Sequence, residues 1–172
     1  MEKTICSICQ KPKSNLQCGL CNETVCKGCA EFIPEDTFSF LKKIPDELKH
    51  TIFCLSCYNT AVQGQLAAYN EIMQRAKDVM IFTKSQAKET RFVKRDQIPY
   101  KIKECTDHDE VIMRMAFKAV QMNFNSVIDV EVLTEKVRIG SYQTSKFAGS
   151  GMPANVILSS LVKDRSLWST PN

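Results

Sequence analysis

Between residues 60 and 80 the apolar positions Val62, Leu66, Tyr69, Met73, Ala76 and Met80 recur at alternating intervals of four and three. Polar residues such as Gln63, Asn70, Glu71, Gln74 and Lys77 fill the gaps. That spacing predicts a helix with a narrow apolar stripe, fit either to pack on the chain's own C-terminal domain or to seam two copies together. Beyond it, Val79–Thr83 reads as a short strand. Lys84–Gln97 is polar and basic and reads as a loop or solvated face, and Ile98–Cys105 alternates as a second strand does. Asp107 followed by Glu110 has the spacing of a capping box. The helix it opens runs to about Met122, with Val111, Met115, Ala119 and Met122 inward. The β-branched run Ser126–Leu133 and the segment Val137–Phe147 read as a hairpin. Gly149-Ser150-Gly151-Met152-Pro153 reads as a break, and Asn155–Val162 as a last strand. The expected order is β-β-α-β-β-β, an antiparallel sheet carrying one main helix.

The first sixty residues follow a different pattern. Four Cys-x-x-Cys pairs stand at Cys6/Cys9, Cys18/Cys21, Cys26/Cys29 and Cys54/Cys57. Each pair puts two sulfurs on one tight turn, and zinc asks for four at about 2.3 Å, so two pairs serve one ion and the eight thiols imply two Zn2+. Only four residues, Asn22–Val25, separate the second pair from the third. A spacer that short allows a hairpin whose two ends serve different metals. Between Cys29 and Cys54 lie Phe32, Ile33, Phe38, Phe40, Leu41, Ile44, Leu48, Ile52 and Phe53. They suit a small core over the metal sites; the other reading is an exposed Phe-rich docking patch. Pro34-Glu35-Asp36 looks like a helix start, giving about two turns over Asp36–Lys43 before Pro45. His50 is read as a surface residue, since the eight cysteines fill both sites. Cys105, far from the pairs, is read as a buried free thiol.

Charge changes the picture at one point. The formal net charge is +4, but it counts cysteines as neutral. Eight thiolates with two Zn2+ bring the whole chain near zero and leave residues 1–60 acidic, which disfavours a nucleic-acid surface there. Phe92 is the only aromatic within the basic stretch Lys84–Gln97, a weak pattern for nucleic acid. No apolar run approaches the ~20 residues that span a bilayer, and the N-terminus enters the cysteines without an apolar signal core. A cytoplasmic protein is expected. No nucleophile triad, P-loop or dinucleotide fingerprint is visible. His108, beside Asp107, Asp109 and Glu110, reads as part of a solvated first turn, and no catalytic residue is assigned.

The pattern Cys-x2-Cys-x8-Cys-x2-Cys-x4-Cys-x2-Cys-x24-Cys-x2-Cys, closing on Phe53-Cys54-Leu55-Ser56-Cys57-Tyr58, resembles the FYVE and FYVE-related zinc fingers. PHD fingers share the framework but carry His at the position of Cys26, and RING fingers space their central ligands differently. The resemblance implies a treble-clef finger with cross-braced sites rather than two sequential ones. Cys6, Cys9, Cys26 and Cys29 would hold one zinc, and Cys18, Cys21, Cys54 and Cys57 the other. The lipid-reading members use a basic Arg- and His-rich motif at the third pair. Here that stretch is Asn22-Glu23-Thr24-Val25-Cys26-Lys27, with Lys27 its only cation, and Ile52 stands where the family has an Arg before the last pair. The fold and ligands carry over; the lipid site does not.

In the second domain, Asn125, Val127, Ile128 and Val130 resemble the helix-to-strand junction of the YbjQ-type family, with Asn123 and Asp129 where glycines are usual. Gly149–Val156 is similar to that family's closing Gly-rich turn. The family is described as putatively metal-binding and tends to form rings, which implies an oligomerising sheet unit; no second ligand cluster is visible in this domain.

The expected fold class is therefore α+β: a FYVE-like finger over 1–60, a connecting helix over 61–78, an α+β domain over 79–162 and a flexible tail over 163–172. The expected role is a non-enzymatic zinc-binding adaptor. Its finger presents a protein-interaction surface, and its second domain, or residues 62–80, serves assembly or docking. A phosphoinositide-reading membrane module and a RING-like ubiquitin ligase are the alternatives.

Overall fold

The computed structural model describes residues 5–12 and 14–157, with Ser159 and Leu161. The expected tail over 163–172 lies outside the described residues. The chain is α+β and divides into two compact units at Glu71/Ile72.

In the first unit, β1 (Leu16–Gln17) pairs antiparallel with β2 (Thr24–Val25), and β3 (Ala30–Phe32) with β4 (Ile52–Cys54). Such short strands have little stability alone. Helix α1 (Leu55–Cys57) opens directly from β4, passes through a π-helical turn at Tyr58–Val62, and continues as α2 (Gln63–Ala76). The expected helix over Asp36–Lys43 is instead a series of tight turns. Thr37, Ser39 and Leu41 donate backbone N–H groups to Pro34, Asp36 and Phe38, each three residues back. Thr37, Phe38, Ser39 and Phe40 are weak helix formers, and two turns fall short of the length at which a helix sustains itself. The tight turns bury Phe38, whose ring meets Tyr69 of α2 edge-on at 5.2 Å. Ile33, Leu48, Phe53 and Val62 are buried too, so most of this stretch is core. Phe32 alone among its phenylalanines is markedly exposed. The apolar stripe of α2 thus begins by packing within the finger unit: Val62 and Tyr69 are buried and Leu66 half-buried.

The second unit is a four-stranded sheet in the order β5-β7-β8-β6, with α3 (His108–Gln121) packed on one face. Here β5 is Met80–Thr83, β6 is Tyr100–Cys105, β7 is Ser126–Ile139 and β8 is Tyr142–Ala154. The sheet is mixed rather than wholly antiparallel, because β5 runs parallel to β7 while β7–β8 and β8–β6 are antiparallel. The intervening β6 and α3 return the chain to β5's edge in the same direction.

The stretch Gly149–Pro153, expected to break the pattern, lies inside β8. A Cβ at Gly149 would sit 2.6 Å from both Val111 Cγ1 and Met115 Cε, and one at Gly151 would sit 2.6 Å from Val127 Cγ1. The glycines alternate onto the helix-facing side and let α3 approach the strand closely. Pro153 lies past Gly151, the last residue that β6 pairs, where a missing N–H costs no ladder bond to that strand. The last strand expected over Asn155–Val162 does not begin: Asn155–Ile157 follow β8 without strand structure, and Leu158, Ser160 and Val162 lie outside the described residues.

Two cores sandwich the sheet. Val111, Met115, Ala119, Tyr100, Val127 and Cys105 form the helix side. Phe82, Val93, Ile128, Ala154 and Val156 form the other, covered by the segment between β5 and β6. That segment, read from sequence as a loop or solvated face, is anchored. Arg95 donates to both carboxylate oxygens of Asp129 (2.7 and 3.2 Å), to the carbonyls of Thr90 and Val93, and to Thr90 Oγ1. Asp129 lies at φ 53° in the irregularity between Ile128 and Glu131 of β7, so its left-handed backbone and its ion pair fix one place.

Candidate metal centres

The geometry of the finger follows from how each cysteine pair is held. Pair one is a knuckle in which Gln10 N–H donates to Cys6 O at 3.0 Å, with Gln10 at φ 58°. Pair two repeats it: Asn22 N–H donates to Cys18 O at 2.9 Å, with Asn22 at φ 61°. Pair three is a single turn closed by Cys29 N–H to Cys26 O at 3.0 Å. Pair four opens α1, where Cys57 N–H donates to Cys54 Sγ at 3.4 Å.

Each knuckle is tied by one backbone bond to the strand that leads to its partner pair. Ser7 N–H donates to Thr24 O (2.9 Å) in β2, which runs into Cys26. Gly19 N–H donates to Ile52 O (2.9 Å) in β4, which carries Cys54. The structure therefore gathers Cys6, Cys9, Cys26 and Cys29 into one group, and Cys18, Cys21, Cys54 and Cys57 into another. Within each group all four sulfurs lie within 4.8 Å of one another, and each group could hold a metal ion.

The donor set fits one tetrahedral cation per group. A tetrahedron of sulfurs at about 2.3 Å from a central ion has edges of about 3.8 Å. Cys9 Sγ and Cys26 Sγ are 3.6 Å apart, and Cys21 Sγ and Cys54 Sγ 3.8 Å. Disulfides need about 2.05 Å, and all nine cysteines are free thiols.

Electrostatics point the same way. The amides of Cys9, then of Cys26 and Ile8, lower the Cys6 thiol to about 6 against the opposing effect of burial. Burial raises Cys18, but the amides of Cys21, Cys54 and Leu20 outweigh it and bring this thiol to about 6. In the same groups, hydrogen bonds to Cys26 and Cys9 push Cys29 up to about 12, and burial followed by contact with Cys54 pushes Cys57 up. Each group thus welcomes one thiolate and resists the last, as four converging sulfurs do until a cation offsets their charge.

His50 is exposed and lies over the second knuckle. A Cβ on Gly19 would meet His50 Cγ at 2.3 Å and His50 Cβ at 2.4 Å. The sequence gives no sign of this approach, since His50 and Gly19 are thirty-one positions apart. Gln10 and Asn22 also escaped sequence reading, because neither is the glycine that ordinarily marks a left-handed residue. The Arg95–Asp129 pair has no local signal either, since the two residues stand thirty-four positions apart.

Outside the finger, Cys105 is buried, its Sγ directed at Lys103 O (3.8 Å) and its thiol pushed up by burial. The partner of His108 is its exposed neighbour Asp109, at 3.4 Å. Among the described residues no helix is long and apolar enough to cross a membrane. The chain matches no family model, no curated protein and no solved structure.

Proposed function

We propose that the chain is a non-enzymatic, zinc-binding adaptor of the cytoplasm. Cys6, Cys9, Cys26 and Cys29 hold one Zn2+, and Cys18, Cys21, Cys54 and Cys57 the other. The observation that carries the reading is the interleaving of two closed four-sulfur groups, pair one with pair three and pair two with pair four. Closed all-cysteine coordination is zinc's structural mode and leaves no open position for catalysis. Zinc supplies folding energy here, about 10–16 kcal/mol per site in finger peptides. That replaces the core which strands of two or three residues cannot build.

So braced, the finger spares apolar side chains for recognition. Ile8 within the first knuckle, Phe32 at the end of β3 and Leu55 after Cys54 are all exposed. They take the place of the Phe-rich patch that is the alternative reading of the stretch between Cys29 and Cys54, because Phe38 and Phe53 there are buried. The stretch Asn22–Lys27 offers a phosphate one lysine beside Glu23, which argues for a protein partner over a phosphoinositide headgroup. The second unit serves assembly or docking. Its likeness to the YbjQ-type family gains support from Asn123 and Asp129, where that family has glycines: both sit at positive φ, 61° and 53°.

The test combines proximity labelling in cells with liposome co-sedimentation. The double variant Ile8→Glu/Phe32→Glu is expected to keep its metal content and lose a defined set of labelled neighbours. The full chain is expected to stay in the supernatant of vesicles carrying phosphatidylinositol 3-phosphate. Phosphoinositide-dependent pelleting, or an unchanged neighbour set in the variant, contradicts the reading.

A further inference from the structure

The two four-sulfur groups differ in how they meet solvent. In the first group Cys6 is buried and Cys9, Cys26 and Cys29 are half-buried. In the second Cys18 and Cys54 are buried and Cys57 half-buried, while Cys21 is exposed, alone among the eight. One side-chain bond distinguishes the two knuckles. Gln10, following Cys9, turns its side chain back to the Ser7 carbonyl at 3.3 Å, across the first knuckle. Asn22, which follows Cys21, is exposed as Gln10 is, but makes no such side-chain bond across the second knuckle. Attack on a cysteine follows its thiolate character and its access. A ligand sulfur has thiolate character by virtue of binding a metal, so access decides among these eight.

On the zinc reading given above, we propose that Cys21 is a modification site for small oxidants and electrophiles of the hydroperoxide and maleimide type, and that its modification releases the metal of the second group while the first keeps its own. With hydrogen peroxide, the Cys21 thiolate attacks one peroxide oxygen and the O–O bond breaks. Hydroxide leaves and is protonated by a buffer acid, and Cys21 becomes a sulfenic acid, two electrons having passed from sulfur to peroxide. The Cys54 thiolate, whose Sγ lies 3.8 Å from that of Cys21, then attacks the sulfenic sulfur. The S–O bond breaks, a second hydroxide leaves to become water, and a Cys21–Cys54 disulfide forms. Two ligands are withdrawn, and the cation passes to solvent.

The consequence is local. Cys54 ends β4 and caps α1 by accepting from Cys57 N–H, so loss of the second site loosens the β4–α1 junction. The first knuckle, its bond to β2 and the sulfurs of the first group are not touched by the step.

The experiment is stepwise oxidation of the full wild-type chain, read by native mass spectrometry and peptide mapping. The untreated protein must first show two zincs; any other starting content overturns the zinc reading and this proposal with it. Sub-stoichiometric peroxide is then expected to yield a one-zinc species two hydrogens lighter than the fully reduced one-zinc chain, with Cys21 joined to Cys54. Limiting maleimide is expected to label Cys21 about tenfold faster than any of the other seven ligands. A two-zinc protein that loses both metals together, or in which Cys6, Cys9, Cys26 or Cys29 reacts first, overturns the proposal and leaves the zinc reading standing.

Discussion

Two glycines show how much a single missing side chain decides. At Gly149 an added methyl would meet Val111 Cγ1 and Met115 Cε at 2.6 Å and the backbone oxygen of Glu131 at 3.0 Å, beside a buried core. Gly149→Ala is expected to destabilise the second unit by about 1–3 kcal/mol, the usual cost of overpacking, seen as a lower urea midpoint for that unit. An unchanged midpoint would mean that α3 does not rest on β8 as described. Gly19→Ala tests the finger in the same manner. Its methyl would strike His50 Cβ, which no rotamer can move, so the expected result is weaker metal retention against a competing chelator. Glycine in a sequence announces freedom, but not whether that freedom serves a turn or a close approach. The run from Gly149 to Pro153 therefore read as a break when it is the place where helix and sheet touch.

At the scale of elements, α3 was the most legible. Its stripe and its N-cap follow from local rules, and Asp107 accepts from Glu110 N–H at 2.7 Å as a cap should. Asp107→Ala is expected to cost about 1 kcal/mol, measurable in thermal melts. The reciprocal arm of the box differs from its simplest form. Glu110 reaches past Asp107 to the N–H and hydroxyl of Thr106, and also pairs with Arg114. Burial acts to raise the Glu110 carboxyl, but the Thr106 bonds and Arg114 outweigh it, so its folded value lies below its ordinary one. A depressed carboxyl adds stability above its unfolded value, near pH 4.3, and loses it as pH falls through the folded one. Glu110→Gln should therefore narrow the stability difference between neutral pH and about pH 3. An identical pH profile in the variant would contradict the pairing. The sheet's register was less legible than the helix. Parallel pairing of β5 with β7 depends on contacts between distant segments, and the loop joining β5 to β6 is held down by one arginine whose partner lies thirty-four residues away.

At the scale of the molecule, the two units are stabilised by different means, and that difference is open to test. Residues 72 onward carry two apolar cores on either side of one sheet. The finger buries Phe38, Phe53 and Val62, but the walls of its metal sites are built largely from the cysteines themselves, with Val25 among them. Chelation of the metals is expected to abolish amide protection through β1–β4 while α3 and β7–β8 keep theirs, as hydrogen exchange would show. Loss of protection in both units together would contradict the division. The finger's chemistry could be read from eight cysteines in four pairs, because ligand spacing is a local signal. The surface that binds a partner could not, because exposure at Ile8 or Phe32 depends on which neighbours the metal sites draw inward. The proposed role of the finger rests on its two four-sulfur groups holding two zinc ions, so the most direct measurement is the metal content of the intact chain by native mass spectrometry. The account predicts two zincs per chain. One zinc per chain, or iron accompanied by labile sulfide, would contradict it.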